Sequence, residues 1–160
     1  MKNFGTVSVT TPSDREIVIT RTFDAPRALV FEAWTRAEHV ARWWDPSGVP
    51  LAVCEIDLRP GGAFRWVNRA PDGGEGHSFT GTYREIAPPE RLVFTVGMFL
   101  SSSDEPPGSL VFTEEGQKTK LTLTIVCKTK MDRDALLEMR VDVGTAQTLE
   151  NLAAYLPRIA

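Results

Sequence analysis

The chain is poor in the residues that build disulfide or metal scaffolds. Of its 160 residues only two are cysteines, Cys54 and Cys127, and two are histidines, His39 and His77. Two cysteines are too few for a disulfide framework, and neither lies in a Cys-x-x-Cys pair. We therefore expect two buried structural thiols. The histidines show no metal-ligand spacing, so we expect no metal or other cofactor.

Long apolar runs and a strong charge imbalance are also missing. The apolar stretches are only a few residues long, whereas a transmembrane helix needs about 20. Eighteen Lys and Arg against 21 Asp and Glu give a net charge of −3, so no basic excess is available for nucleic acid or an anionic membrane. The first five residues lack the apolar core of a signal peptide. We expect a cytoplasmic protein that binds neither nucleic acid nor membrane.

Catalytic residues cannot be assigned from spacing. No Ser-His-Asp set and no pair of carboxylates in a known arrangement stands out in the sequence. His77 would need a hydrogen-bonding partner to act as a general base, and the sequence identifies none. We therefore predict no catalytic residue, and an enzyme is less favoured than a binding protein.

What is present is the composition of one globular domain, with 42% hydrophobic and 24% charged residues. Residues 1–14 are polar and are predicted to be a flexible N-terminal lead-in to a single domain over residues 15–160. The β-branched pattern of Glu16–Phe23 predicts a strand that Pro26 ends. Apolar residues spaced by three and four, from Val30 to Trp44, then predict two short helices.

The middle of the chain alternates between apolar and polar residues. It predicts six strands separated by turns rich in Pro and Gly, over residues 51–58, 63–69, 77–86, 91–98, 109–114 and 120–127. Period-two alternation with polar outer positions is typical of an antiparallel sheet with one solvated face. Together with the first strand, this gives a seven-stranded antiparallel sheet.

The last segment changes to a helical period. Apolar residues recur every three or four positions from about Asp132 to Leu156, which predicts one helix roughly 35–38 Å long. Thr129 or Asp132 can serve as the N-cap, and Pro157 closes the helix. Gly144 interrupts the pattern and is interpreted as a point where the helix backbone approaches the sheet. One long helix against a curved antiparallel sheet is an α+β architecture.

A series of short motifs runs along the chain in a fixed order. They are Asp24-Ala25-Pro26, Ala33-Trp34-Thr35, Trp43-Trp44-Asp45-Pro46, Asp57-Leu58-Arg59-Pro60-Gly61-Gly62, Pro71-Asp72-Gly73, and the segments at 81–86 and 89–93. In this order, over about residues 15–156, they resemble the activator of Hsp90 ATPase homologue 1-like (AHSA1-like) proteins of the START/Bet v 1-like (SRPBCC) superfamily. The resemblance implies a helix-grip fold, in which a bent sheet wraps around the C-terminal helix and often encloses an apolar cavity. Many relatives carry Trp where this chain has Thr145, so the smaller residue either leaves more room or shifts the filling to another side chain.

In the architecture that the resemblance implies, large side chains face the space between sheet and helix. The candidate ligand-binding residues are Trp34, Trp43, Trp44, Phe64, Trp66, Phe79, Tyr83, Phe94, Phe112, Met139, Arg140, Val143 and Gln147. An aromatic cavity suits a hydrophobic small molecule, but the same rings can also simply fill the core.

Two finer hypotheses concern particular side chains of this set. The adjacent residues Trp43 and Trp44 cannot point the same way, so one is expected to anchor its helix and the other to lie at the cavity mouth. Arg140, Gln147 and Asn68 are candidates for holding a polar head group. The alternative is that they are solvated side chains at the edge of the apolar stripe.

Three functions stay open at this point. Binding of a hydrophobic small molecule is favoured. The second is an Hsp90-type co-chaperone or protein-interaction module, for which Arg65, Arg69, Arg84 and Lys128 would form an outward charged set. The third is an enzyme of cyclase, aromatase or hydrolase type that uses the same pocket. A homodimer is compatible with the implied fold.

Overall fold

The computed structural model describes residues 2–4, 7–95 and 107–160, with side chains from residue 7 onward. The strands are β1 (Lys2–Phe4), β2 (Val7–Thr10), β3 (Glu16–Phe23), β4 (Val53–Ile56), β5 (Ala63–Arg69), β6 (Glu75–Ala87), β7 (Arg91–Thr95), β8 (Pro107–Glu115) and β9 (Lys118–Val126). The helices are α1 (Arg27–Thr35), α2 (Ala37–Trp43), α3 (Lys130–Glu138) and α4 (Val141–Tyr155), and a 3₁₀ turn follows at Leu156–Arg158.

The nine strands of the described residues form one antiparallel sheet in the order β1-β2-β3-β9-β8-β7-β6-β5-β4. Strand β9 pairs with β3 from Val126 opposite Glu16 to Thr119 opposite Phe23. The first long strand therefore lies beside the last one, which brings the two halves of the chain into one layer. The predicted α+β class with an antiparallel sheet is confirmed, and two more strands are present than the seven predicted.

The two additional strands lie in the segment that was predicted to be a flexible lead-in. Residues 7–10 form β2, which pairs with β3. Val7 and Val9 point inward and are 0% and 3% exposed, respectively. Two β-branched side chains on one face of a short strand bury enough apolar surface to hold this segment against the sheet. The prediction of a loose lead-in is therefore wrong for residues 7–10.

The predicted single helix over residues 132–156 is in fact two helices. The chain turns between α3 and α4 because Arg140 has a φ of 60°, in the left-handed region. The Met139 N–H donates to Ala135 O and the Arg140 N–H donates to Leu137 O, which closes α3. At the start of α3 the Thr129 hydroxyl accepts a hydrogen bond from the Asp132 N–H at 3.1 Å. Thr129 is therefore the N-cap.

The helices cover the sheet unevenly. Helix α1 packs on β8, where the Phe31 and Phe112 rings meet edge to face with centroids 5.3 Å apart. Helix α4 packs against α2, β2 and β3. Space therefore remains between α4 and the strands at the other end of the sheet. None of the helices in the described ranges combines the length and apolarity needed to span a bilayer.

Candidate functional site

A cavity of about 240 Å³ lies between the sheet and the first half of α4. Its inner wall is built from the buried side chains Trp34, Phe64, Trp66, Tyr83, Leu92, Phe94, Leu110, Ile125, Val141 and Thr148. The lining residues that are exposed mark its opening to solvent: Pro46, His77, Ser78, Met139 and Arg140. The interior is thus almost entirely apolar, and polar groups concentrate at the mouth.

The aromatic part of the wall follows from strand alternation. Phe64 and Trp66 are two residues apart on β5 and share its inward face, and Phe79 on β6 lies directly opposite Trp66. The Trp66 and Phe79 rings are stacked with centroids 5.6 Å apart, and Phe64 lies 4.9 Å from Trp66. Trp44 contacts the same group, 4.9 Å from Phe79. Because these rings pack on one another, they form a continuous wall.

The structure brings most of the candidate ligand-binding residues to the cavity. Those that line it are Trp34, Trp44, Phe64, Trp66, Phe79, Tyr83, Phe94, Met139 and Arg140. Trp43, Phe112, Val143 and Gln147 are not among its lining residues. Phe112 shares the inward face of β8 with Leu110, but α1 covers its end of the strand.

The break at Arg140 explains the two misplaced residues of α4. Because α4 is a separate helix that begins after this break, the face it turns to the cavity is set independently of α3. That face is formed, at helical spacing, by Val141, Gly144, Thr145 and Thr148. Gln147 is exposed and donates to Asn151 at 3.2 Å. The sequence analysis missed this face because it carried one helical phase through the break.

The two adjacent tryptophans take different roles, as predicted. Trp43 is 1% exposed, and its indole N–H donates to the Ala33 carbonyl at 3.1 Å. It therefore fixes α2 against α1. Trp44 is half-buried and lines the cavity.

Gly144 does not approach the sheet, contrary to the prediction. A Cβ built on this residue would have no atom within 4 Å, so its backbone faces open space in the cavity. The close approach occurs instead at Gly81, where a Cβ would collide with the Thr95 carbonyl oxygen. Thr145 also borders the cavity. Small residues at 144 and 145 therefore leave room beside the helix.

A hydrogen-bonded carboxylate holds one edge of the site together. Asp45 is 8% exposed. Its Oδ1 accepts hydrogen bonds from the Ser47 N–H at 2.8 Å and the Ser47 hydroxyl at 2.7 Å. Its Oδ2 accepts a hydrogen bond from Asn68 Nδ2 at 2.9 Å. The Asp45 backbone carbonyl accepts from Asn151 Nδ2 at 2.8 Å. Burial alone would raise the pKa of Asp45, but the hydrogen bonds from Ser47 and Asn68 outweigh it and lower the pKa. From the sequence Asp45 was recognised only as part of the motif Trp43-Trp44-Asp45-Pro46, although an Asp side chain often bonds the backbone two residues further on.

The predicted polar trio is not assembled. Asn68 lines the cavity, but its amide is bound to Asp45, and Gln147 lies away from the cavity. Arg140 stands at the mouth, and its guanidinium makes no ion pair with any residue in the described ranges. Three other wall atoms, Trp34 Nε1, Trp66 Nε1 and Tyr83 Oη, are buried and lack a hydrogen-bond partner within those ranges.

Burial opposes the ionisation of the two cysteines and of Tyr83. Burial raises the pKa of the Cys54 thiol to about 11 and raises that of the Tyr83 phenol. Burial also raises the pKa of Cys127. Both cysteines are free thiols with little thiolate at pH 7. The described residues contain no group of three or more His, Cys, Asp or Glu that could hold a metal ion.

An antiparallel sheet packed around a C-terminal helix, with an apolar cavity between the two layers, defines the helix-grip class of the START/Bet v 1-like proteins. The family model described as "Activator of Hsp90 ATPase homolog 1-like protein" matches residues 24–157. The chain therefore belongs to this family. No protein of curated function matches the sequence.

Solved structures share the fold over nearly the whole chain. A protein from Rhodobacter sphaeroides is 21% identical, with a TM-score of 0.85 over 96% of this chain and 99% of its own. A protein from Chromobacterium violaceum is 27% identical, with a TM-score of 0.72 over 87% of this chain and 95% of its own. CalU16 from Micromonospora echinospora is 23% identical, with a TM-score of 0.65 over 94% of this chain and 83% of its own.

Proposed function

We propose that this protein binds an apolar small molecule in the cavity between the sheet and α4. The observation that carries the proposal is the volume of about 240 Å³ enclosed by an aromatic and aliphatic wall. Protein interiors are close-packed and contain few voids larger than one water molecule. This space opens to solvent at one side and is therefore a pocket and not a packing defect, and its apolar wall makes it a poor site for water.

The size and opening of the cavity indicate what it would accept. An engineered apolar cavity of about 150 Å³ binds benzene, so a cavity of about 240 Å³ that opens to solvent suits a molecule with one or two aromatic ring systems. The exposed residues at its mouth, among them Pro46 and Met139, provide a route of entry that does not require unfolding. Stacked rings such as Trp66 and Phe79 offer flat faces for an aromatic ligand.

The charged outer face gives less support to a protein-interaction module. Arg65 is paired with Glu75 at 2.9 Å and Glu55 at 3.6 Å, and Arg69 donates to the Gly73 carbonyl at 3.0 Å. These two arginines are thus engaged within their own sheet. Contact with an Hsp90-type chaperone, a homodimer and a cytoplasmic location stay predictions.

Titration with N-phenyl-1-naphthylamine tests the proposal, because this neutral probe, a phenyl and a naphthyl group joined through an amine, becomes fluorescent in apolar surroundings. We expect saturable binding by the wild-type protein. Gly144→Phe, which places a ring in the cavity, is expected to weaken binding at least tenfold, since it occupies the volume that the probe needs. Ala154→Phe is the matched control, because Ala154 is an exposed residue of α4 away from the cavity. Absence of saturable wild-type binding, or equal binding by both phenylalanine variants, would contradict the proposal.

A further inference from the structure

We infer that the ligand of this cavity is an anion, an apolar ring-type molecule whose acidic head group is held at the mouth by Arg140. This inference rests on the proposed function and adds the charge of the molecule to it. The head group is of carboxylate, sulfonate or phosphate type, since the guanidinium fork matches all three.

The cavity lining carries a positive charge. The described residues that line it include Arg140 and no Asp or Glu. The chain as a whole is acidic, with 21 Asp and Glu and a net charge of −3. The Asp45 carboxylate at the edge of the site is bound by Ser47 and Asn68 and does not line the cavity, so the charge that a ligand meets in the lining is positive. A fixed positive charge beside a wall of low dielectric constant attracts an anion more strongly than the same charge on an open surface.

Arg140 makes no ion pair within the described ranges. Many other arginines of this chain do make one: Arg59, Arg65 and Arg133 each lie within 2.8–2.9 Å of a carboxylate oxygen. Arg140 instead stands beside Met139 at the edge of the apolar interior. Its guanidinium is thus available to a head group whose apolar body lies inside the cavity.

The backbone of Arg140 also has an unusual conformation. Among the described residues other than glycine, it alone has a positive φ, at 60°. A glycine would adopt this conformation without the steric penalty that a side chain brings. An outlier of this kind at a cavity mouth points to a role for the side chain. The turn also sets the side chain between two helices, at the opening, rather than along one helix face.

Two probes with the same ring system separate the contribution of charge from that of apolar contact. N-phenyl-1-naphthylamine is neutral, and 8-anilinonaphthalene-1-sulfonate is the same arylamine with a sulfonate on its naphthalene. We expect Arg140→Met to weaken binding of the sulfonate about three- to tenfold and binding of the neutral probe less than about twofold. Arg140→Lys is expected to keep most of the sulfonate affinity. Raising the salt concentration should weaken the sulfonate only.

Two controls keep the result interpretable. Arg84→Met removes one positive charge from an exposed position of β6 outside the cavity, and it should leave both affinities unchanged. Arg140→Gly removes the same charge as Arg140→Met while suiting the left-handed backbone, so a folding defect in one variant does not decide the outcome. Circular dichroism establishes that each variant is folded.

The outcomes distinguish this inference from the proposed function. If Arg140→Met and Arg140→Gly leave sulfonate binding intact, or weaken both probes equally, the anionic head group is refuted while the cavity proposal stands. If Arg84→Met weakens sulfonate binding as much as Arg140→Met does, the effect is one of net charge and the inference also fails. If the wild-type protein binds neither probe, the proposed function itself fails.

Discussion

Substitution of Gly144 tests directly whether the cavity is open, because here α4 faces it without a side chain. Gly144 is the fourth residue of α4. It is not one of the glycines whose φ is positive, so its backbone conformation is open to residues with a side chain. A Cβ at this position would meet no atom within 4 Å. These are the two conditions under which replacing glycine by alanine stabilises a helix.

The expected magnitudes follow from these two conditions. Gly144→Ala should raise the free energy of unfolding by about 0.5–1 kcal/mol, the helix-propensity difference between the two residues. For a chain of this length, 1 kcal/mol corresponds to a change of about 2–4 °C in Tm. Gly144→Leu adds the burial of an apolar side chain, about 1.5–3 kcal/mol, reduced by about 0.5–1 kcal/mol of lost rotamer freedom. Stability should therefore rise in the order Gly, Ala, Leu.

Urea unfolding followed by circular dichroism measures this order, and titration with the neutral naphthylamine measures binding in the same variants. Affinity should fall as stability rises, because the added side chain takes the volume of the ligand. Ala154→Leu, on the exposed face of α4, should change stability by no more than about 0.5 kcal/mol. A Gly144→Ala variant less stable than the wild type would refute the reasoning, since it would mean that the space beside Gly144 is already filled.

Two further predictions concern the titratable groups. Asp45→Asn should lower stability at pH 7 by about 1–2 kcal/mol because the carboxylate accepts from Ser47 and Asn68. The folded-state pKa of Asp45 lies below its ordinary value of 3.8. The stabilisation by its carboxylate is therefore complete above pH 3.8 and is lost as the pH falls through the lowered pKa. Urea unfolding of both proteins from pH 7 to 3 checks this, and a difference in unfolding free energy that is unchanged at the lowest pH would contradict it. A pKa of about 11 for Cys54 lowers its thiolate fraction at pH 8 roughly two-hundredfold relative to a free cysteine, and the greater nucleophilicity of a more basic thiolate offsets part of this. Cys54 should therefore react with a thiol reagent at least about tenfold more slowly than a free cysteine. Stopped-flow labelling of a Cys127→Ala variant measures this rate, and a rate near that of free cysteine would refute the raised pKa.

Most of the sheet was predictable because its signals are local. Ala63–Arg69 was predicted with the bounds that the structure has, since Phe64 and Trp66 alternate with polar residues between two glycine-containing turns. The strand at Val7–Thr10 was missed because four residues carry too little pattern. Its stability comes from pairing with β3 and from the burial of Val7 and Val9, and neither can be read from the segment alone.

The break between α3 and α4 left no comparable signal. A left-handed residue at a helix end is normally indicated by Gly or Asn, and here the position is occupied by Arg140. The apolar period also continues past the break, since Leu136, Met139, Val143 and Ala146 follow one another at spacings of three and four. One uninterrupted helix was therefore the natural prediction, and the face that α4 turns to the cavity was shifted as a result.

For the site, the rings of the wall were predictable but the space between them was not. Strand alternation places Phe64, Trp66 and Phe79 on inward faces whether or not a cavity exists. Whether the rings fill the core depends on which parts of the sheet α1 and α4 cover. Phe112 lies under α1, whereas Phe94 faces open space. A cavity is a property of the assembled layers, so no single segment of the sequence encodes it.

Two residues that break local rules stand one helical turn apart at this cavity. Arg140 occupies a left-handed position that suits glycine, and Gly144 occupies a helical position that suits alanine. Exchanging the two residue types would satisfy the backbone preference at both positions. Natural sequences usually violate local preference where function requires it. Here the arginine supplies a charge at the mouth and the glycine leaves space inside. Both departures thus favour a binding site over a core that is merely poorly packed, because poor packing would explain the space but not the charged side chain at its entrance.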